Sequence, residues 1–256
     1  KIIRPITQQT LTRLTHLKLT GIADAVQQQL EQASTYEGLP FIERLSLLVE
    51  HEQLSREQRK QARLVKQARL KLQATVQEVD YQSARNLERS QVANLAQGEW
   101  LRRGQNLLIT GPCGCGKTYL ACALGYQACQ QGHSTRYYRL PRLLLELSQA
   151  KVDGSYARLL GQLARIELLI LDDWGLEAVN AEQRNALLEI MDDRYGKYST
   201  VVVSQLPTEE WYASLGDNTL ADAILDRLMH NAHRLSLKGE SMRKRRSELT
   251  QSEHSS

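Results

Sequence analysis

Aromatic side chains are scarce: three Trp, ten Tyr and a single Phe make up 5% of the 256 residues, against 24% charged residues. That balance argues against a β-sandwich and for a helix-rich protein. No run of eighteen apolar residues occurs, and the opening KIIRPITQQT lacks the continuous apolar segment of a signal peptide. A membrane partner is therefore excluded, and the cytoplasm is the expected location. Only four cysteines are present, all between Cys113 and Cys129. They lack metal-ligand spacing and any distant disulfide partner, so they read as small residues in a reducing compartment. The excess of positive charge is slight, 33 Lys and Arg against 29 Asp and Glu, which permits an acidic partner without establishing one.

What is present is organised around NLLITGPCGCGKTYLACAL, residues 106–124. Leu107, Leu108 and Ile109 suit a buried parallel strand, and Gly111 to Thr118 match G-x-x-x-x-G-K-[ST]. A loop with so little side chain can turn successive backbone N–H groups toward phosphate oxygens, and the helix that follows points its positive dipole end at the same anion. The candidate contacts to ATP or ADP are Gly111, Pro112, Cys113, Gly114, Cys115, Gly116, Lys117, Thr118 and Tyr119. Lys117 supplies a point charge to the β- and γ-phosphates, and Thr118 a hydroxyl to Mg²⁺.

Leu168 to Leu171 form a four-residue apolar run that ends in Asp172 and Asp173. This is the pattern of a Walker B strand: Asp172 is expected to orient Mg²⁺ and its waters, and Asp173 to polarise the attacking water. At the tip of a later strand, VVVSQLP puts Ser204 and Gln205 within expected reach of the γ-phosphate or its water. Arg227 lies on a helix whose Leu220, Ile224, Leu225 and Leu228 are expected to face inward. Its guanidinium is then either a surface charge or a finger entering a neighbouring subunit's site, with Arg194 the next candidate. Arg243, in KGESMRKRR, is either an in-cis sensor or one member of a solvated basic tail.

Residues 1–80 read as a small helical domain for DNA, partner or assembly contacts, with Gly21 marking a helix break or a close contact and Pro40 opening a second apolar face. Arg56, Arg59, Lys60, Arg63, Lys66 and Arg69 recur largely at steps of three and four, forming either a DNA phosphate contact or a solvated helix face. Residues 79–103 read as a polar linker, with the domain edge near Tyr81. Over 81–256, strands at 135–138, 168–171, 200–204 and 234–237 alternate with helices at 141–150, 181–195 and 219–230. The fold class expected is α/β, a three-layer core with a parallel five-stranded sheet.

With the P-loop, LDD, SQLP and GESMR together, and LKLTGIADAV and FIERLSLLVEHE upstream, nearly the whole chain resembles the IstB-like AAA+ ATPases, helpers of insertion-sequence transposases. The resemblance implies an AAA+ core, an ATPase, a homo-oligomer that binds and deforms double-stranded DNA, and recruitment of a cognate transposase. Asp173 stands where many AAA+ proteins carry Glu. The thirteen residues after Arg243 leave no room for a helical lid domain, so none is expected. DnaC-type replicative helicase loaders share the P-loop, the acidic pair and an S-x-R element, and are the alternative. A small-molecule kinase and a non-hydrolysing nucleotide-binding scaffold are further alternatives, disfavoured respectively by the second arginine with its basic N-terminal domain and by the acidic pair.

Overall fold

The computed structural model describes residues 5–81, 85–216 and 218–239. It divides into two compact units, 1–63 and 64–256.

The first unit is helical: α1 (Pro5–His16), α2 (Thr20–Glu31), α3 (Ala33–Tyr36) and the beginning of α4 (Phe41–Ala68). Gly21 is a close contact within α2, since a Cβ there would lie 2.7 Å from the Glu52 Cα of α4. This approach lets the Ile22 N–H donate to Glu52 Oε2 at 3.0 Å, while Arg56 Nε donates to Glu52 Oε1 at 2.6 Å. The Arg56 hydrogen bond is the main reason the Glu52 carboxyl lies below its ordinary pKa. A second tie comes from Gln29, which donates to the Arg44 carbonyl and accepts from its guanidinium.

The second unit begins with the end of α4. It then contains α5 (Arg89–Ala96), α6 (Glu99–Arg102), β1 (Asn106–Thr110), α7 (Lys117–Gln130), β2 (Thr135–Arg139) and α8 (Leu140–Asp153). There follow α9 (Tyr156–Arg165), β3 (Leu168–Trp174), α10 (Ala181–Arg194), β4 (Ser199–Ser204), α11 (Trp211–Leu215), α12 (Asn218–Met229) and β5 (Ala232–Ser236). The five strands pair in parallel in the order β2-β3-β4-β1-β5. Successive residues of a strand face opposite sides of the sheet, so Leu107, Ile109, Val201 and Val203 join a core with α7. Leu108, Leu169, Leu171 and Val202 join a separate core with α8, α10 and α12. Two cores on one sheet make the three layers.

The polar stretch 79–103 departs from its reading as a linker. Val79, Val92, Leu95, Trp100 and Leu101 are buried in the same core as α7, and the Trp100 ring N–H donates to the Leu95 carbonyl at 2.8 Å. A few well-spaced large side chains suffice to dock a short helix whose remaining residues are polar. The compact units divide at residues 63 and 64, ahead of the edge expected near Tyr81, because Leu70, Ala74 and Val76 also pack against the α7 core. Helix α9 lies where no helix was expected; its Leu163 is buried and Leu159 and Leu160 pack beside it.

Candidate nucleotide and metal site

The P-loop joins β1 to α7. Gly111 has φ 148° and Gly116 φ 93°, and a Cβ at Gly111 would lie 2.5 Å from the Leu237 carbonyl oxygen. Both positions thus demand glycine for conformation, and Gly111 also for space. Lys117 is buried, and its Nζ donates to the Pro112 carbonyl at 2.7 Å, across the mouth of its own loop. Cys115 is buried and Cys113 exposed, and all four cysteines are free thiols. Arg85 is almost fully buried, donates through Nη1 to the Cys115 carbonyl at 3.1 Å and also binds the Asp80 carbonyl. No motif marked Arg85 in the sequence.

Asp172 lies opposite Thr118. Between β3 and β4 the register shifts: Leu171 pairs with Val202 and Trp174 with Ser204, so β3 carries one extra residue at the acidic pair. Such a bulge turns side chains away from the regular alternation. Asp173 accordingly adopts φ 61°, which Asp tolerates better than most residues. Asp172 is 2% exposed. Its Oδ2 accepts from Thr118 Oγ1 at 2.8 Å and from Tyr137 Oη at 2.6 Å, and its Oδ1 accepts from the Asp173 N–H at 2.8 Å. Asp173 binds Arg139 Nε at 2.6 Å from the tip of β2, a contact that raises the Arg139 pKa.

Among the described residues no cluster of three His, Cys, Asp or Glu side chains could hold a metal by itself. A hydroxyl and one carboxylate beside a phosphate cradle do suit Mg²⁺, which keeps waters and takes substrate phosphates as ligands. Loop, lysine and hydroxyl–carboxylate pair all fit a magnesium nucleotide.

The outer residues meet this site less directly. Ser204 is buried, donates to the Trp174 carbonyl at 2.7 Å and accepts from the Leu206 N–H at 3.0 Å. Its hydroxyl therefore ties the ends of β3 and β4 together. Gln205 is exposed beside it. Arg227 does not simply face out: it forms an ion pair with Asp192 of α10 and donates to the Ala223 carbonyl at 2.9 Å, with its side chain 29% exposed. Arg194 is 1% exposed and donates to Thr200 Oγ1 and to the carbonyls of Leu163, Ile166 and Ser199. Burial pulls its pKa down to about 9, still protonated at neutral pH. A guanidinium so enclosed cannot reach another subunit. Arg243 lies outside the described residues.

Of the basic residues, Arg56 and Arg59 both approach Glu52, at 2.6 and 3.6 Å, so part of their charge is offset. Lys60, Arg63 and Lys66 are exposed. Arg69 lies beyond the end of α4 at φ 49°, which takes it off the helical stripe.

The sequence profile described as IstB-like ATP binding protein matches residues 12–250. The chain belongs to the IstB-like ATP-binding family. Within it, this IstB-like chain is 48% identical over 235 residues to a Sinorhizobium fredii protein described as an insertion sequence ATP-binding protein, covering 92% of this chain and 96% of that one. It is also 48% identical over 204 residues to the ATP-binding protein of insertion sequence IS1162 from Pseudomonas fluorescens, covering 79% and 88% of the two. The crystal structure of the DnaC helicase loader superposes with a TM-score of 0.56 at 20% identity, over 64% of this chain and 97% of that chain. That likeness is one of fold. Among the described residues no helix of the IstB-like chain is long and apolar enough to cross a membrane.

Proposed function

We propose that this chain is an ATPase that assembles on double-stranded DNA and uses nucleotide turnover to assist an insertion-sequence transposase. The observation that carries the catalytic part is the hydrogen bond of Thr118 Oγ1 to Asp172 Oδ2 at 2.8 Å beside the P-loop, because it joins a hydroxyl and a carboxylate suited to one metal-bound triphosphate. The insertion-sequence relatives support the transposition part.

In this reading the loop N–H groups and Lys117 hold the phosphates. Mg²⁺, when bound, would supply charge stabilisation for phosphoryl transfer. Thr118 and Asp172 hold it, Asp173 orients the attacking water once it leaves Arg139, and Gln205 donates to the water or the γ-phosphate. Arg227 acts in a neighbouring subunit only after leaving Asp192, and Arg243 acts in its own.

DNA contact is assigned first to Lys60 and Arg63. Neutralising phosphates releases counterions, so affinity should fall steeply with salt, and each contact removed should flatten the log–log slope by roughly 0.9. The test measures duplex affinity across a salt series, with ATP hydrolysis followed in parallel. Steep salt dependence with faster hydrolysis on DNA supports the reading. An unchanged slope in Lys60→Ala with Arg63→Ala moves the DNA surface elsewhere, and no duplex binding at all sinks the DNA-dependent role.

A replicative helicase loader is the second reading, favoured by fold likeness alone. It predicts stimulation of helicase loading and none of transposase strand transfer.

A further inference from the structure

We infer that Tyr137 is a positioning residue for the metal-facing carboxylate of Asp172, an assignment that rests on the nucleotide-site reading above. On β2, Tyr137 pairs with Ile170 of β3, and Arg139 with Asp172. Residues two apart on a strand share a face, and strand side chains lean along the strand direction. The Tyr137 phenol can thus run along the sheet from its own register position to the carboxylate two residues further on. It arrives with Oη 2.6 Å from Asp172 Oδ2, the same oxygen that Thr118 Oγ1 approaches at 2.8 Å.

Each donor to Asp172 comes from a different place. Thr118 belongs to the helix start that takes the nucleotide, and the Asp173 N–H to the bulge itself. Among the described residues, Tyr137 alone ties the carboxylate to the neighbouring strand through a side-chain hydrogen bond. Its ring is buried in the core shared with α7. In that contact the phenol is the donor and the carboxylate oxygen the acceptor. A buried carboxylate needs such donors on its oxygens. Groups that orient a metal ligand from behind are worth roughly 10- to 100-fold in metal affinity. Phenylalanine would fill the same space and hold nothing in place.

The test uses the full chain and two titrations. ADP affinity is measured in EDTA, and steady-state ATP hydrolysis is measured against free Mg²⁺. Tyr137→Phe should bind ADP in EDTA within about twofold of wild type, because the P-loop contacts are intact, while its half-saturating Mg²⁺ rises roughly tenfold and kcat recovers at high metal. An unchanged half-saturation in a variant with wild-type ADP affinity overturns the inference and leaves the nucleotide-site reading standing. A wild-type chain with no Mg²⁺-dependent hydrolysis overturns both. Should Tyr137→Phe fail to fold, 3-fluorotyrosine at position 137 retains ring and donor, and its ¹⁹F resonance should move when Mg²⁺ is added to the ADP-saturated chain. A resonance unmoved by the metal contradicts the assignment.

Discussion

Thr118, at the start of α7, and Asp172, on β3, are 54 residues apart in sequence and joined by a 2.8 Å hydrogen bond. Strand β4 lies between β1 and β3, so the P-loop reaches the acidic strand across an intervening neighbour. The contact depends on the loop, which carries Thr118 over the carboxyl end of the sheet, and on the regular alternation of β3, which sets Asp172 on the same face as Leu168 and Ile170 in the α7 core.

Lys117→Ala should remove nucleotide binding, because the deleted ammonium is the cation of the loop and already points across its mouth at the Pro112 carbonyl. Asp172→Ala should keep ADP binding in EDTA and lose about 100-fold or more in Mg²⁺-dependent kcat, as expected when metal-held charge stabilisation is withdrawn. Calorimetric ADP binding and a phosphate-release assay distinguish the two. Hydrolysis retained by both variants would refute the site.

Arg139 holds Asp173 at 2.6 Å, with 44% of its own side chain exposed. A pair this open is worth little, of order 1 kcal/mol or less. Arg139→Gln should therefore raise basal ATP turnover by roughly two- to fivefold, with KM unchanged, by freeing the carboxylate. A fall in turnover would assign the guanidinium to the phosphates instead.

Much of this was legible in the sequence, for specific reasons. The P-loop and the LLILDD strand have local signatures, and each segment read as a strand became a strand of the expected sheet. Residues 79–103 were not legible as core, because Val92, Leu95 and Trp100 are isolated among polar neighbours and gain meaning only against α7. The contacts of Ser204 and Arg227 were hidden for a related reason. Their partners, Trp174 and Asp192, sit 30 and 35 residues away, and no short-range pattern encodes them. The bulge at Asp172 and Asp173 was invisible because it depends on the register of β4.

Arg194→Met should keep the aliphatic packing and strand four acceptors, the Leu163, Ile166 and Ser199 carbonyls and the Thr200 hydroxyl. Losing charge-assisted bonds and leaving buried acceptors unmet should cost about 3 kcal/mol or more. For a chain of this size that lowers Tm by roughly 6–12 °C. Thermal melting followed by circular dichroism measures it, and an unchanged Tm would mean that water replaces the guanidinium.

If Arg227 leaves Asp192 to complete a neighbour's site, ATPase activity per subunit should rise with protein concentration. Mixing Arg227→Ala with Asp172→Ala should restore part of the hydrolysis each lacks, since some interfaces then pair an intact acidic site with an intact arginine. No recovery in mixtures shown by light scattering to co-assemble would confine Arg227 to its pair with Asp192.

The most direct test of the central claim is strand transfer by the transposase of the same insertion sequence, on duplex target DNA with Mg²⁺ and ATP, in the presence of this chain or of its Asp172→Ala variant. The account predicts stimulation by the wild-type chain that requires ATP and fails with the variant. Equal stimulation by both, or none by the wild type under conditions where it hydrolyses ATP, would contradict it.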